Sequence, residues 1–199
     1  MNGKKKKLGI LVTIIVICLS VIMIYFYFSK MSSYYDVIRA YNQDIETKGR
    51  SIIKTREFDL SNQKNKNDED KIQLKYLNEL NIDSIEGEII DVDIKHKIND
   101  IEIKADKMLY IKEVNELHFG IKIKNNKKID ISNIEFWLRN ESSETNDFIT
   151  TRTLYRTKGI WSTFERCWFK GIDLESFEKL FLVIRSEEEE LQVLIYENK

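Results

Sequence analysis

The chain has 199 residues, 33% of them charged, with 32 Lys and Arg against 33 Asp and Glu. Setting aside four lysines, Lys4 to Lys7, leaves 28 basic residues against 33 acidic ones. This mild acidic excess excludes a nucleic-acid surface, which needs clustered positive charge. Proline is absent and there are two cysteines, Cys18 and Cys167. Cys18 falls in an apolar stretch long enough to lie within a bilayer and Cys167 outside it, so the two are not expected to pair and stability must come from a core.

Residues 1–7 form a basic tail. Residues 8–28, LGILVTIIVICLSVIMIYFYF, carry no charge and no Pro. As a helix they span about 31 Å, close to the hydrocarbon thickness of a bilayer. Basic residues are held on the cytoplasmic side, so the tail is expected inside and the bulk of the chain outside. Tyr25 to Phe28 suit the outer interface. A cleaved signal peptide needs an apolar region of about 7–15 residues and small residues at its end. Here the run is longer and aromatics stand at that place. The expectation is an uncleaved signal anchor of a single-pass membrane protein, with an extracytoplasmic C-terminal domain.

Residues 29–58 read as a helical stalk. Tyr34, Ile38, Tyr41, Ile45 and Ile52 recur at heptad spacing, with Lys48 in the missing place and a weak point at Gly49. The seam admits a parallel coiled-coil homodimer. It equally admits packing on the chain's own domain. Residues 59–71 are almost wholly polar and read as a linker. Residues 72–199 form the extracytoplasmic domain, led by a short helical pattern from Asp68 to Leu80 that Asn67 or Asp68 can cap.

From Ile85 the period changes to two. Ile90, Val92, Ile94, His96 and Ile98 alternate with charged residues, and Ile101 and Ile103 continue. Leu117, Phe119, Ile121 and Ile123 alternate with His118, Gly120 and Lys122. Ile134, Phe136 and Leu138 oppose Glu135, Trp137 and Arg139. Strands are also expected over 148–156, 161–170, 180–185 and 191–196, with one helical turn after Asp173. This spacing predicts a mainly β domain, an antiparallel β-sandwich of immunoglobulin-like architecture. The Cys–Trp–Cys arrangement of antibody domains is missing.

The segment ELHFGIKIKNNKKIDISNIEFWLRN pairs a strand ending in Asn-Asn with a strand ending in an aromatic-Leu-polar step. It resembles bacterial membrane-anchored immunoglobulin-like domains of unassigned function. The resemblance implies a cell-surface binding or assembly module, with no catalytic residues to carry over.

His96, His118 and Cys167 are too few and too scattered for a zinc site, so no metal or cofactor is expected. Cys167 shares the parity of Trp161 and Phe169 and reads as a core residue. Ser29, Lys30, Ser32 and Ser33 read as the polar flank of an anchor. Glu187 to Glu190 read as a solvated hairpin. In 161–170 both alternating sets are aromatic: Trp161, Cys167 and Phe169 on one face, Phe164, Arg166 and Trp168 on the other. Trp137 and Arg139 likewise lie opposite their strand's apolar set. Trp137, Arg139, Phe164, Arg166 and Trp168 are therefore expected to form an exposed aromatic and cationic surface, unless a bulge or the 68–80 helix covers it. Two functions stay open: a non-enzymatic module meeting another envelope protein, and a module binding wall glycan through these aromatics. An envelope hydrolase or transferase comes third, since no acid, base and nucleophile converge in the sequence.

Overall fold

The computed structural model describes residues 2–98, 100–125, 131–141, 148–150, 152–159 and 162–198. α1 (Asn2–Glu46) is one unbroken helix that carries the apolar stretch and the first part of the stalk. With no Pro, and no Gly between Gly9 and Gly49, nothing in its sequence interrupts it. Residues 12–30 are exposed throughout, large apolar side chains such as Ile17, Val21 and Ile24 among them. An apolar helix without protein cover is stable only in an apolar surrounding. This length of α1 is a candidate membrane span or signal anchor.

The helix stops at the turn Thr47–Gly49, where Lys48 and Gly49 take positive φ. Gly49 donates its N–H to Asp44 O, and the Lys48 carbonyl accepts from Gly87 at the entry to the first strand. A Cβ at Gly49 would lie 2.5 Å from Ile111 Cδ1, so both backbone and packing demand glycine there. α2 (Arg50–Asn62) and α3 (Asp68–Glu79) follow. α3 begins at a capping box in which Asn67 and Asp70 satisfy each other's backbone N–H groups.

This arrangement differs from the expected stalk and linker. Leu60 is buried at the end of α2, and the capping box starts α3 at Asp68. The segment 59–71 is therefore mostly helix, and its polar composition is the solvent side of two short helices. The heptad seam also has an occupant. Tyr34, Tyr41 and Ile45 are buried, with Ile38 and Ile52 packed beside them, in one cluster with Leu109, Ile111 and Phe164 of the chain's own strands. A stalk homodimer through that seam would have to displace this contact.

Nine strands are found among the described residues: β1 (Glu88–Ile98), β2 (Ile101–Ile111), β3 (Glu116–Asn125), β4 (Glu135–Glu141), β5 (Phe148–Thr150), β6 (Arg152–Lys158), β7 (Ser162–Lys170), β8 (Lys179–Arg185) and β9 (Glu190–Glu197). They form two antiparallel sheets, one in the order β1-β2-β3-β7-β6 and the other β5-β4-β8-β9. The run expected as one strand over 148–156 is divided between the sheets. Ile103, Phe119, Ile121 and Phe169 from the first sheet share one core with Phe136, Leu138, Leu182 and Ile184 from the second. Each such side chain, fully buried, contributes about 1.5–3 kcal/mol.

The helices add a third layer on the outer face of the first sheet. Ile53 and Leu77 are fully buried there with the stalk seam. Gly120 of β3 makes the close approach possible: a Cβ would lie 2.5 Å from the Tyr41 ring and 2.8 Å from Phe164. Tyr41 fills that notch, and its hydroxyl donates to Lys107 O at 2.9 Å. Nearer the apolar section, Tyr34 and Ser162 share a hydroxyl hydrogen bond of 2.7 Å.

Candidate functional site

β3 and β7 pair antiparallel, with His118 opposite Trp168, Gly120 opposite Arg166 and Lys122 opposite Phe164. Alternation sends Leu117, Phe119 and Cys167 into the core between the sheets. It sends Glu116, His118, Phe164, Arg166 and Trp168 to the outer face, under α1 and α2. A cleft of about 650 Å³ remains between the helices and these strands, walled by Val37, Ala40, Gln43 and Asp44 of α1 and by Ile52, Thr55, Arg56 and Asp59 of α2, with His118, Arg166 and Trp168 on the sheet side.

Two buried ion pairs structure the sheet side. Arg56 forks onto Glu116 with N–O distances of 2.9 and 2.8 Å. The Glu116 side chain is 3% exposed. Glu116 also lies 3.2 Å from His118 Nε2. Burial alone would raise the Glu116 carboxyl, but hydrogen bonds from His118 and Arg56 and the Arg56 charge hold it below its ordinary range. The carboxylate accepts only, so Nε2 carries the imidazole proton and Nδ1 presents a lone pair. Burial, opposed in part by Glu116, pushes His118 below its usual value and keeps the ring neutral. The second pair joins Arg166 to Asp44 at 2.6 Å. Ser51 donates to the same carboxylate at 2.5 Å and hydrogen-bonds with Thr47 at 2.7 Å, fastening α2 to the end of α1.

Trp168 lies parallel to His118, with centroids 6.2 Å apart and planes 9° from each other. The Arg56 guanidinium stands over its ring at 5.0 Å and the Lys170 ammonium at 4.4 Å. Three nitrogens on this side of the cleft have no hydrogen-bond partner and are closed to solvent: His118 Nδ1, Arg166 Nε and Trp168 Nε1.

The five residues expected to share a surface do not share one. Phe164, Arg166 and Trp168 lie together on β7, but Phe164 is buried against Tyr41, with centroids 5.8 Å apart, and Trp168 is half-buried under Arg56. The cover comes from α1 and α2, where α3 was expected. Trp137 and Arg139 sit on β4 in the other sheet, on its outer face. Trp137 is half-buried; its indole N–H donates to Glu135 at 3.0 Å, and Arg185 stands over its ring at 5.9 Å. Arg139 donates to Gln192 at 2.6 Å and lies over Phe181 at 5.3 Å. Both groups oppose their strand's core residues, but each sheet has its own outer face, so they point away from each other. Trp161 lies outside the described residues.

Sequence reasoning missed Arg56, Asp44, Glu116 and His118 as a group. His118 was expected on a polar face; it is on that face, yet fully buried. The available signal was the match between an aromatic outer set on β7 and an apolar stripe on the stalk. Cys167 is buried in the core, and burial followed by Glu165 pushes its thiol well up, which disfavours the thiolate. His118 and Cys167 point to opposite sides of the first sheet. No cluster of three or more His, Cys, Asp or Glu able to hold a metal occurs among the described residues. No family model matches the chain, and no curated protein matches it.

Proposed function

We propose that this chain is a single-pass membrane protein that displays a non-enzymatic binding or assembly module outside a bacterial cell, and that it binds through the cleft between the stalk helices and the first sheet. The cleft carries the reading. It is large enough for a small ligand and has apolar walls. Its oriented polar groups are left without partners beside the candidate membrane span. Lys4 to Lys7 ahead of the apolar stretch support a cytoplasmic N-terminus. Two antiparallel sheets around one core support an immunoglobulin-like sandwich.

The glycan and hydrolase readings rest on specific observations too. Trp168 beside Arg56 and Arg166 supports sugar recognition inside the cleft. Glu116 and His118 make an oriented acid–base pair, which supports a hydrolase only if a nucleophile joins them. Cys167, on the other side of the sheet, does not.

Two measurements test the reading on the intact chain in cells. External protease is expected to remove the β domain while sparing the N-terminal tail; a protected domain would overturn the topology. A photo-crosslinking residue at Gln43, inside the cleft, is expected to give a discrete adduct. A probe at Gln192, on the second sheet, is expected to lack it, and Ala40→Trp, which fills the cleft, should abolish it. Adducts that are the same from both positions, or insensitive to Ala40→Trp, would overturn binding through the cleft.

A further inference from the structure

We infer that the cleft accepts a neutral secondary amide, the N-acetyl group of an amino sugar. This rests on the binding reading above and gives its ligand a chemical class. The first argument is charge. Arg56 is matched by Glu116 and Arg166 by Asp44. Asp59 at the mouth adds a further carboxylate. Lys170, over the Trp168 ring, offsets that carboxylate, so cations and carboxylates balance around the floor and no surplus positive charge is left for a phosphate or a carboxylate. Arg56 and Lys170 already stand over the Trp168 ring, and their charge disfavours an ammonium ligand there.

The second argument is the hydrogen-bond inventory. Trp168 Nε1–H and Arg166 Nε–H are donors without acceptors, and His118 Nδ1 is an acceptor without a donor. A ligand that completes all three offers two lone pairs and one N–H or O–H. An amide does this in one planar group, its carbonyl accepting twice and its N–H donating to His118. Val37, Ala40 and Ile52 provide apolar wall for the acetyl methyl.

The third argument separates a sugar from a strand-forming peptide. A peptide that binds as an added strand needs a sheet edge. β3 and β7 are interior strands of the first sheet, with β2 and β6 outside them, so no edge is on offer. The helix walls instead present Gln43, Thr55 and Asp59, side chains suited to ring hydroxyls. The three nitrogens are closed to solvent. Reaching them therefore requires side chains around the cleft to shift.

The test uses the full chain in phosphatidylglycerol–phosphatidylcholine nanodiscs with ¹⁵N-labelled tryptophan. N,N′-diacetylchitobiose is expected to shift the Trp168 indole N–H resonance saturably; that resonance is assigned by its loss in Trp168→Phe. Deacetylated chitobiose is expected to leave it in place. Calorimetry should show about tenfold weaker binding to Trp168→Phe, the loss of one hydrogen bond. Ala40→Trp, which leaves the floor intact, should abolish binding. An equal shift with deacetylated chitobiose overturns the assignment. So does an equal shift with N-acetylalanine methylamide, which would indicate a peptide, and so does no shift at any accessible sugar concentration. A Gln43 adduct that persists without a diacetylchitobiose response overturns the amino-sugar assignment alone and leaves the binding module standing.

Discussion

The outer faces of the two sheets start from similar materials and end differently. Each presents a tryptophan beside an arginine: Trp168 under Arg56 on the first sheet, Trp137 under Arg185 on the second. On the second sheet the indole N–H is satisfied two residues away by Glu135, and Arg185 is shared with a partly exposed Glu190. On the first sheet a helical layer closes over the same kind of pair. Its ion pairs are buried, its histidine is neutral, and its indole has lost water without gaining a partner. Covering a polar face makes each of its contacts more consequential, since a broken pair then leaves a charge in a medium that cannot solvate it.

The largest test of that contrast is Arg56→Ala. It leaves Glu116 charged and buried, and a loss of about 3–5 kcal/mol is expected in denaturant unfolding of the full chain. A loss no larger than that of a surface arginine would break the comparison. Gly120→Ala comes next. The added methyl meets the Tyr41 ring and has no room to yield, so about 1–3 kcal/mol should be lost, with altered Trp168 fluorescence as the helix is pushed from the sheet.

Acid should weaken the covered face selectively. When folded, His118 holds its proton less tightly than its ordinary value of 6.5. As pH falls below that value the unfolded chain takes up a proton that the folded chain refuses, and stability declines. Glu116, depressed from 4.5, extends the loss at lower pH, because its stabilisation is present above that value and disappears as it protonates. Thermal unfolding across this range should slope less at its upper end in His118→Asn; an unchanged slope would remove His118 from the account. The smallest effect is expected for Arg185→Ala. Its pair with Glu190 is 45% and 35% exposed, and screening by solvent limits the loss to about 1 kcal/mol or less.

Strand alternation was legible because each β-residue faces one of two sides. Leu117, Phe119, Ile121 and Ile123 reveal β3, and Ile90 to Ile98 reveal β1, from their spacing alone. The α3 start is equally visible, since Asn67 and Asp70 act within one turn. Alternation states only which side a residue takes. It does not state whether that side meets water or a third layer, so His118 and Trp168 looked like surface. The covering helices come from a segment more than fifty residues upstream of β3. Their apolar stripe at Tyr34, Ile38, Tyr41 and Ile45 was plain, but its partner was not, because a heptad seam fits a second helix and a sheet face alike. Arg56, Asp44 and Glu116 carry no motif; their meaning arises only where α1 and α2 bring opposite charges against the same strands.

The notch at Gly120 ties the candidate membrane span to the cleft. α1 is continuous from its apolar section to Tyr41 and Asp44, so turning one end turns the other. A twist by one residue step, about 100°, would carry Tyr41 out of the notch and draw Asp44 away from Arg166. With the apolar section in lipid, a neighbour that rolls that section about its axis exerts torque directly on one wall of the cleft. If the apolar section spans a bilayer, the β domain would thereby register its rotation.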